Sequence, residues 1–229
     1  PFQLAFLLME IESVVNTESE FRDTVDLIWF PTGGGKTEAY LGLIAFVVAW
    51  RRLRYPSTSG GTTVLMRYTL RLLTRQQFQR AARLVCAMEL LRRGCPDKLG
   101  SEVISIGIWV GEALSPNSYK KACQVVAKAG RQDTRVLQNL VMDQCPWCGQ
   151  LFSADRNYLA THARFGFQCT NPECPFGTSV SENECLPCNV VDEALYENPP
   201  TLLIATIDKF ARLAWEERYN ARKAEADAL

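Results

Sequence analysis

The sequence has no excess of charge, no long apolar run and almost no histidine. Its 25 lysines and arginines balance 25 aspartates and glutamates, so the whole chain gives no electrostatic indication of a nucleic-acid partner. The longest uncharged apolar stretch, residues 39–50, is shorter than the roughly 20 residues of a membrane span. We therefore expect no membrane segment. The only histidine is His162, and a lone histidine is more often a surface or core residue than a metal ligand.

The remaining composition is that of an ordinary globular protein. Apolar residues make up 47% of the chain and charged residues 22%. A length of 229 residues allows one large domain or a domain with an insertion, and its core needs no disulfides. No signal peptide opens the chain, which begins within a predicted helix, and we therefore expect a fragment of a longer protein.

Predicted strands and helices alternate along the first 110 residues and again after residue 200. Strands are predicted at 26–30, 62–66, 103–110 and 201–205, and helices at 2–15, 37–54, 73–93, 118–129 and 208–217. Such alternation is typical of a parallel sheet with helices on both faces. We predict an α/β fold, a RecA-like P-loop NTPase sheet. Residues 1–110 would form its first part, residues 111–188 a cysteine-rich zinc-ribbon-type insertion, and residues 189–229 the return to the sheet.

Residues 31–37, Pro-Thr-Gly-Gly-Gly-Lys-Thr, form a glycine-rich phosphate-binding motif between a predicted strand and a predicted helix. Glycines let backbone N–H groups converge on phosphate oxygens, and the following helix start favours anions. Lys36 is predicted to reach the β and γ phosphates and Thr37 to bind Mg²⁺, as the catalytic residues of the loop. The alternative is a glycine-rich turn that merely precedes Lys-Thr. The predicted ATP–Mg²⁺ contacts are Pro31, Thr32, Gly33, Gly34, Gly35, Lys36, Thr37 and Glu38.

Residues 67–93 contain seven arginines and one acidic residue, Glu89, although the whole chain is neutral. The first part of this block follows the second predicted strand, where a motor of this topology faces the bound nucleic acid. Arginine, threonine and backbone N–H groups hold phosphates without reading bases. The alternative is a solvated helix face, which we favour for Arg92 and Arg93. The predicted nucleic-acid contacts of this block are Arg67, Thr69, Arg71, Thr74 and Arg75.

Six of the nine cysteines are bunched between residues 145 and 188, which favours metal binding over disulfides. The sequence Cys145-Pro-Trp-Cys148-Gly is typical of a zinc knuckle, because its spacing lets both sulfurs face one ion. Cys169 and Cys174 supply a second pair. We predict a structural Zn²⁺ site at these four cysteines, with no coordination position left open for catalysis.

Several features around this site leave alternatives open. Cys185 and Cys188 form a third pair that could replace one half of the site or be two buried thiols, and His162 is a further possible ligand. The metal is expected to fold an insertion that is too small to have its own core. Basic and aromatic residues nearby could also contact DNA or a partner protein: Arg156, Tyr158, Arg164, Phe165 and Phe167.

Two long blocks carry a resemblance to a known family. Residues 30–42, Phe-Pro-Thr-Gly-Gly-Gly-Lys-Thr-Glu-Ala-Tyr-Leu-Gly, and residues 66–78, Met-Arg-Tyr-Thr-Leu-Arg-Leu-Leu-Thr-Arg-Gln-Gln-Phe, closely resemble superfamily 2 helicases of the DISARM anti-phage system, the DrmA-like family. Residues 106–111 and 201–211 are similar too, and the resemblance covers most of residues 1–217. It implies the N-terminal motor lobe of a bacterial, cytoplasmic helicase or translocase that acts on DNA.

The resemblance also implies partners and residue roles. A second motor lobe in the same parent chain and a partner protein of the defence complex are expected. Gln3 lies where related motors place an adenine-contacting glutamine; the alternative is a glutamine on an exposed helix face. The segment Thr206-Ile-Asp-Lys-Phe resembles the strand-contacting threonine motif of these motors, which adds Thr206 and Lys209 to the nucleic-acid contacts.

Residues 190–193, Val-Val-Asp-Glu, resemble the Asp-Glu box that holds Mg²⁺ and orients the attacking water. We do not assign that box here, because in superfamily 2 motors the threonine motif precedes it, whereas Thr206 follows it. Flanking prolines also suit a connector better than a central strand. The box is expected beyond Leu229, so the isolated chain should bind ATP without hydrolysing it. Two alternatives remain, a non-motor NTP-binding regulatory ATPase and a zinc-bearing interaction module.

Overall fold

The computed structural model describes residues 2–29, 35–69, 71–112, 114–130, 137, 139–177 and 184–210, without the side chains of residues 71–75 and 210. The helices in these ranges are α1 Phe2–Val15, α2 Lys36–Arg54, α3 Arg71–Gly94, α4 Pro96–Leu99, α5 Tyr119–Ala129, α6 Asp192–Glu197 and α7 Ile207–Phe210. The strands are β1 Val64–Tyr68, β2 Ile106–Trp109, β3 Tyr158–Thr161, β4 Arg164–Phe167, β5 Cys188–Asn189 and β6 Leu202–Thr206. No helix in the described ranges combines the length and apolar character needed to cross a bilayer.

The central sheet consists of four parallel strands in the order β1-β6-β2-β5. Strand β6 pairs with β1 from Val64 opposite Leu202 to Tyr68 opposite Thr206, and it pairs with β2 on its other side. Strand β6 therefore enters the middle of the sheet although it is the last of the described strands in the sequence. Because all pairs are parallel, the carboxyl ends of the strands lie at one edge.

Helices cover both faces of this sheet. Successive side chains of a strand point to opposite faces, so Ile106 and Ile108 of β2 join the main core, which includes the buried side of α3. Trp109 packs with Leu195 of α6 on the other face. Helix α6 comes so close to the sheet that a β-carbon on Gly107 would lie 2.4 Å from Cδ2 of Leu195. The predicted α/β fold with helices on both faces of a parallel sheet is confirmed.

The predicted strand at residues 26–30 is wrong over the residues that the structure describes. Residues 24–29 form no strand, and Val25, Leu27 and Trp29 are 93%, 83% and 88% exposed. Strand composition reflects a fit to neighbouring strands rather than an intrinsic backbone preference, and none of the described strands pairs with this segment. Phe30 lies outside the described residues. The predicted helix at 208–217 is described only as α7, and its residues 211–217 lie outside the described ranges.

The segment between β2 and β5 shares its core with the sheet. It contains α5 and the antiparallel hairpin β3–β4. The rings of Phe152, Tyr158, Phe165 and Phe167 contact one another, with centroids 5.2 to 6.0 Å apart, and belong to the main hydrophobic core. Among the described residues the segment therefore packs into the core of the sheet and forms no separate core. Tyr158, Phe165 and Phe167 are buried and are not available to stack on DNA.

A buried ionic network joins α3 to the loop before β2. Glu89 is 1% exposed and accepts hydrogen bonds from Arg92 at 2.7 and 2.8 Å, from Arg93 at 3.1 Å and from the Ile104 N–H at 2.9 Å. Burial alone would raise the pKa of Glu89, but these hydrogen bonds outweigh it and lower that pKa. The interpretation of Arg92 and Arg93 as a solvated helix face is wrong, because helical spacing brings both guanidinium groups to this carboxylate.

Candidate nucleotide, nucleic-acid and metal sites

The helix that follows the phosphate-loop motif begins where the sequence predicts. Gly35 has a φ of 75°, in the left-handed region that a glycine adopts without steric cost, and α2 begins at Lys36. Lys36 and Thr37 are half-buried in the first turn, where unpaired backbone N–H groups favour anions. The remaining predicted residues of the loop lie outside the described residues: Pro31, Thr32, Gly33 and Gly34.

The side-chain amide of Gln3 lies directly beside this helix start. A β-carbon built on Gly35 would be 2.6 Å from Nε2 of Gln3, closer than any side chain would permit. Helix α1 is held in place by tight packing on α2, since a β-carbon on Gly42 would lie 3.1 Å from Cδ1 of Leu7. The α1–α2 contact therefore brings Gln3 next to the last glycine of the motif, 32 residues away in sequence.

Glu38, the residue that follows the motif, connects α2 to the arginine-rich helix α3. Its carboxylate forms an ion pair with Arg80, and the two side chains are 52% and 50% exposed. An exposed pair of this kind contributes about 0–1 kcal/mol to stability. Its interest lies in its position, because it places an arginine of α3 beside the first turn of α2.

The carboxyl ends of β1 and β6 bring several predicted nucleic-acid contacts together. Tyr68 lies opposite Thr206, so the residues on either side of Tyr68 share an edge with the end of β6. Arg67 and Thr69 are exposed there, whereas Thr206 is 3% exposed. In open α/β sheets, ligands bind outside this edge. The side chains of the other predicted contacts lie outside the described residues: Arg71, Thr74 and Arg75.

Lys209 lies near the same edge but is engaged by the protein. Its Nζ donates a hydrogen bond of 2.6 Å to Oδ2 of Asp192 and lies 5.5 Å from the centre of the Trp109 ring. Only 8% of Lys209 and 4% of Asp192 are exposed. Glu193 also has a protein partner, because its Oε2 accepts the N–H of Tyr119 at 2.7 Å. Both acidic residues of the Val-Val-Asp-Glu segment therefore have protein partners in this structure.

The four predicted cysteine ligands converge on one point. The Sγ atoms of Cys145, Cys148, Cys169 and Cys174 all lie within 4.8 Å of one another. The Cys148–Cys169 and Cys145–Cys174 sulfur distances are 3.5 and 4.0 Å. Zn–S bonds of about 2.3 Å in a tetrahedron place sulfurs about 3.8 Å apart. The cluster therefore fits a structural zinc ion.

The acid–base properties of these thiols would link metal binding to pH. Burial raises the pKa of Cys145, Cys169 and Cys174 to about 12. Burial also opposes ionisation of Cys148, but hydrogen bonds from the Gln150 N–H and neighbouring side chains lower its pKa to about 7. Thiolates are the metal-binding form, so three of the four groups ionise at neutral pH only with the help of a cation, and binding releases protons.

The other candidate ligands lie apart from this cluster. Cys188 is buried and its thiol contacts Cys86 of α3; this hydrogen bond and burial raise its pKa well above the ordinary value. Cys185 lies with its sulfur 3.6 Å from Nη2 of Arg164. His162 is exposed in the turn between β3 and β4. Of the alternatives that the sequence leaves open, separate thiols at Cys185 and Cys188 agree with the structure.

The zinc-knuckle turn is docked on α3 by side chains that the sequence did not identify. Arg83 donates from Nε to the carbonyl of Pro146 at 3.2 Å, and Gln79 donates from Nε2 to Oδ1 of Asp143 at 3.3 Å. Each contact joins residues more than 60 positions apart. The sequence carried no signal for them, because an arginine that binds a distant carbonyl looks the same as one that binds a phosphate.

These features define an α/β protein with a parallel sheet and a cluster of four cysteines whose geometry fits a metal ion. No profile of a known protein family matches the chain. Over 238 aligned residues the chain is 39% identical to the DISARM protein DrmA of Bacillus paralicheniformis. The alignment covers 95% of this chain and 20% of that protein, so the chain spans about a fifth of the length of its relative. The chain belongs to the family of the DISARM protein DrmA, and the resemblance seen in the sequence is confirmed.

Proposed function

We propose that the chain is part of the first motor lobe of an ATP-driven superfamily 2 DNA helicase or translocase that acts in anti-phage defence in the bacterial cytoplasm. The observation that carries this proposal is the arrangement of residues at the N-terminal end of α2. There, a left-handed Gly35, the start of α2 and the Gln3 amide come together at the phosphate-loop motif. The relationship to a DISARM protein supports the defence role.

In this proposal ATP–Mg²⁺ binds at the start of α2. The ammonium of Lys36 neutralises the β and γ phosphates, and the Thr37 hydroxyl is a Mg²⁺ ligand. The N-terminal N–H groups of α2 add donors to the phosphate oxygens. Gln3 contacts the adenine, which selects ATP over other nucleoside triphosphates. A RecA-like lobe of this kind works with a second motor lobe of the parent chain and a partner protein of the defence complex.

The nucleic-acid strand follows the carboxyl edge of the sheet. Arg67 and Thr69 are exposed there and make the first phosphate contacts. Arg71, Thr74 and Arg75 extend this track along the first turns of α3. Thr206 supports the track from the end of β6. Lys209 lies near the track, and its ammonium would reach a strand phosphate only when its ion pair with Asp192 opens.

Zinc has a structural role in this proposal. Four thiolates complete its tetrahedral coordination, so no position is open for a substrate or an activated water. A bound ion would hold Cys145 and Cys148 together and so support the knuckle turn, whose Pro146 carbonyl accepts the Arg83 hydrogen bond. The insertion is thereby fixed to α3, the helix that carries the proposed DNA track.

Salt-dependent binding of a single-stranded oligonucleotide tests the motor proposal against a nucleotide switch that does not use DNA. We expect the dissociation constant of oligo(dT) to rise steeply with salt and to rise further in an Arg67→Gln variant. We also expect ATP–Mg²⁺ to change the DNA affinity of the chain, and Lys36→Ala to remove that change. Absence of salt-dependent DNA binding would contradict the motor proposal and favour the nucleotide switch.

A further inference from the structure

A cleft of about 470 Å³ lies between α2, α3 and the knuckle turn. This volume is within the range of about 300–1,000 Å³ that small-ligand sites occupy. Its floor is apolar and its wall carries guanidinium and amide groups, an arrangement that suits a ligand with one apolar and one anionic part. The floor includes Leu41, Met142 and Pro146, and the wall includes Gln79, Arg80 and Arg83.

The charges around the cleft leave one guanidinium group without a compensating carboxylate. Arg80 is paired with Glu38, and Asp143 accepts the amide of Gln79. Arg83 uses only Nε, which the carbonyl of Pro146 holds. Among the described residues no hydrogen-bond partner is found for its two Nη groups, and the side chain is exposed. Arg83 is therefore held by the knuckle through Nε and lines the cleft with the rest of its guanidinium group.

We propose that this cleft binds one nucleotide of the single-stranded nucleic acid held at the sheet edge, with its phosphate on Arg83 and Arg80. This inference rests on the proposed DNA-binding function and adds a second contact point to it. A guanidinium fork binds phosphate oxygens in two parallel hydrogen bonds, which a single ammonium cannot do. The apolar floor accepts the sugar and base without reading the base, as sequence-tolerant strand binding requires.

The zinc knuckle thereby becomes part of the nucleic-acid surface. Pro146 lies between two of the cysteine ligands, and it both lines the cleft and orients Arg83. The exposed pair between Arg80 and Glu38 joins the same cleft to the first turn of α2. The strand would consequently contact the helix that follows the phosphate loop as well as the metal-bearing insertion.

Arginine substitutions in the zinc-loaded chain test this site. The variants are Arg83→Gln, Arg83→Lys and Arg80→Gln, with Arg54→Gln as a matched control at the far end of α2. The probe is a fluorescent oligo(dT), titrated at several salt concentrations, and zinc content is measured for every variant. We expect Arg83→Gln to raise the dissociation constant about tenfold, because a charged hydrogen bond is lost. The slope of affinity against salt should fall by about 0.7, the value for one phosphate of a single strand.

The variants separate the possible outcomes. Arg83→Lys keeps the charge and loses the fork, so its affinity should lie between wild type and Arg83→Gln. Equal affinities for Arg83→Gln and Arg54→Gln would overturn the cleft proposal alone, because wild type would still bind DNA. If wild type showed no salt-dependent binding, the DNA part of the proposed function would fail together with it. If Arg83→Gln lost zinc, Arg80→Gln would decide, since Arg80 does not touch the knuckle; wild-type affinity in that variant would overturn the site.

Discussion

The insertion with the cysteine cluster and the N-terminal segment, residues 2–29, are both rich in apolar residues, but they use them differently. The insertion buries Tyr158, Phe165, Phe167 and three of the four clustered cysteines. The N-terminal segment leaves large apolar side chains exposed, including Met9 at 74% and Trp29 at 88%, and α1 has no buried residue. An apolar sequence therefore predicts burial only where another element is present to cover it.

The two regions also differ in how they are attached to the sheet. The insertion returns to the sheet through β5, is docked on α3 by Arg83 and Gln79, and shares the main core. Helix α1 packs only on α2 among the stronger contacts of the described elements. The insertion should consequently resist local unfolding more than the N-terminal segment, because opening free energies follow the number of buried contacts.

Among the changes that test this comparison, removing a clustered cysteine should reduce the stability of the insertion most. We expect Cys174→Ser to lose the metal and to unfold the insertion, because apparent binding energies of about 10–16 kcal/mol couple structural zinc to folding. Metal analysis and thermal unfolding of the purified chain would measure both effects. Cys185→Ser is the matched control, because Cys185 lies outside the cluster, and it should keep one zinc ion per chain. Equal zinc content in the two variants would contradict the assigned ligand set.

Neutralising the buried carboxylate of Glu89 should have the next largest effect. We expect Glu89→Gln to lower the free energy of unfolding by about 3–5 kcal/mol, because Arg92 and Arg93 would lose a buried partner. Chemical denaturation at neutral pH would measure this, with Glu12→Gln as an exposed control. An effect as small as that of the control would show that the network does not contribute to stability.

The pH dependence of the same network has a definite sign. The pKa of Glu89 is lowered in the folded chain, so its stabilising contribution is present above the unfolded value of about 4.3. The contribution is lost as the pH falls through the lowered folded-state pKa. The stability difference between wild type and Glu89→Gln should therefore shrink below about pH 4, as denaturation at a series of pH values would show. A difference that grew on acidification would contradict this account.

Adding a methyl group at Gly107 should also destabilise the sheet, but by less than Glu89→Gln destabilises the chain. A β-carbon there would lie 2.4 Å from Leu195 and 2.7 Å from Pro200. We expect Gly107→Ala to cost about 1–3 kcal/mol, the usual range for overpacking. The control is Gly94→Ala at the end of α3, where a β-carbon meets nothing within 4 Å. Denaturation midpoints that fell equally in both variants would show that α6 does not pack tightly on β2.

Truncating an exposed apolar residue of the N-terminal segment should have the smallest effect. Trp29 is 88% exposed, so Trp29→Ala removes little buried surface. We expect a change in unfolding free energy within about 0.5 kcal/mol. A loss comparable to that of Gly107→Ala would mean that the segment is covered in solution. The contrast with the insertion would then disappear.

Sequence periodicity was enough to locate α1, α2, α3 and α5 and the three main strands of the sheet, because each pattern is local. It could not locate β5, a strand of two residues that exists only through its pairing with β2. It also mistook residues 26–29 for a strand, since composition does not reveal whether a neighbouring strand is present. The remaining differences between the predicted and the observed elements follow from burial, and burial depends on contacts between distant parts of the chain.

In the candidate sites, too, local sequence patterns identify some residues, while the roles of others depend on contacts between distant parts of the chain. The cysteine spacing identified all four clustered cysteines, because two short local turns present their sulfurs. The roles of the arginines could not be separated in the same way. Arg92 and Arg93 bind a buried carboxylate, and Arg83 binds a knuckle carbonyl. These partners lie on other turns or other segments, so only the folded chain distinguishes them from arginines such as Arg67 that remain exposed.

The central claim is that the helix start at Lys36 is an ATP–Mg²⁺ site. The most direct test is thermal unfolding of the zinc-loaded chain with and without ATP–Mg²⁺, in wild type and in Lys36→Ala. We expect ATP–Mg²⁺ to stabilise wild type by about 2.7 kcal/mol at 100 times the dissociation constant, seen as a rise in Tm. Lys36→Ala should keep the Tm of the free chain and show no rise. An equal rise in both proteins, or no rise in wild type, would contradict the claim.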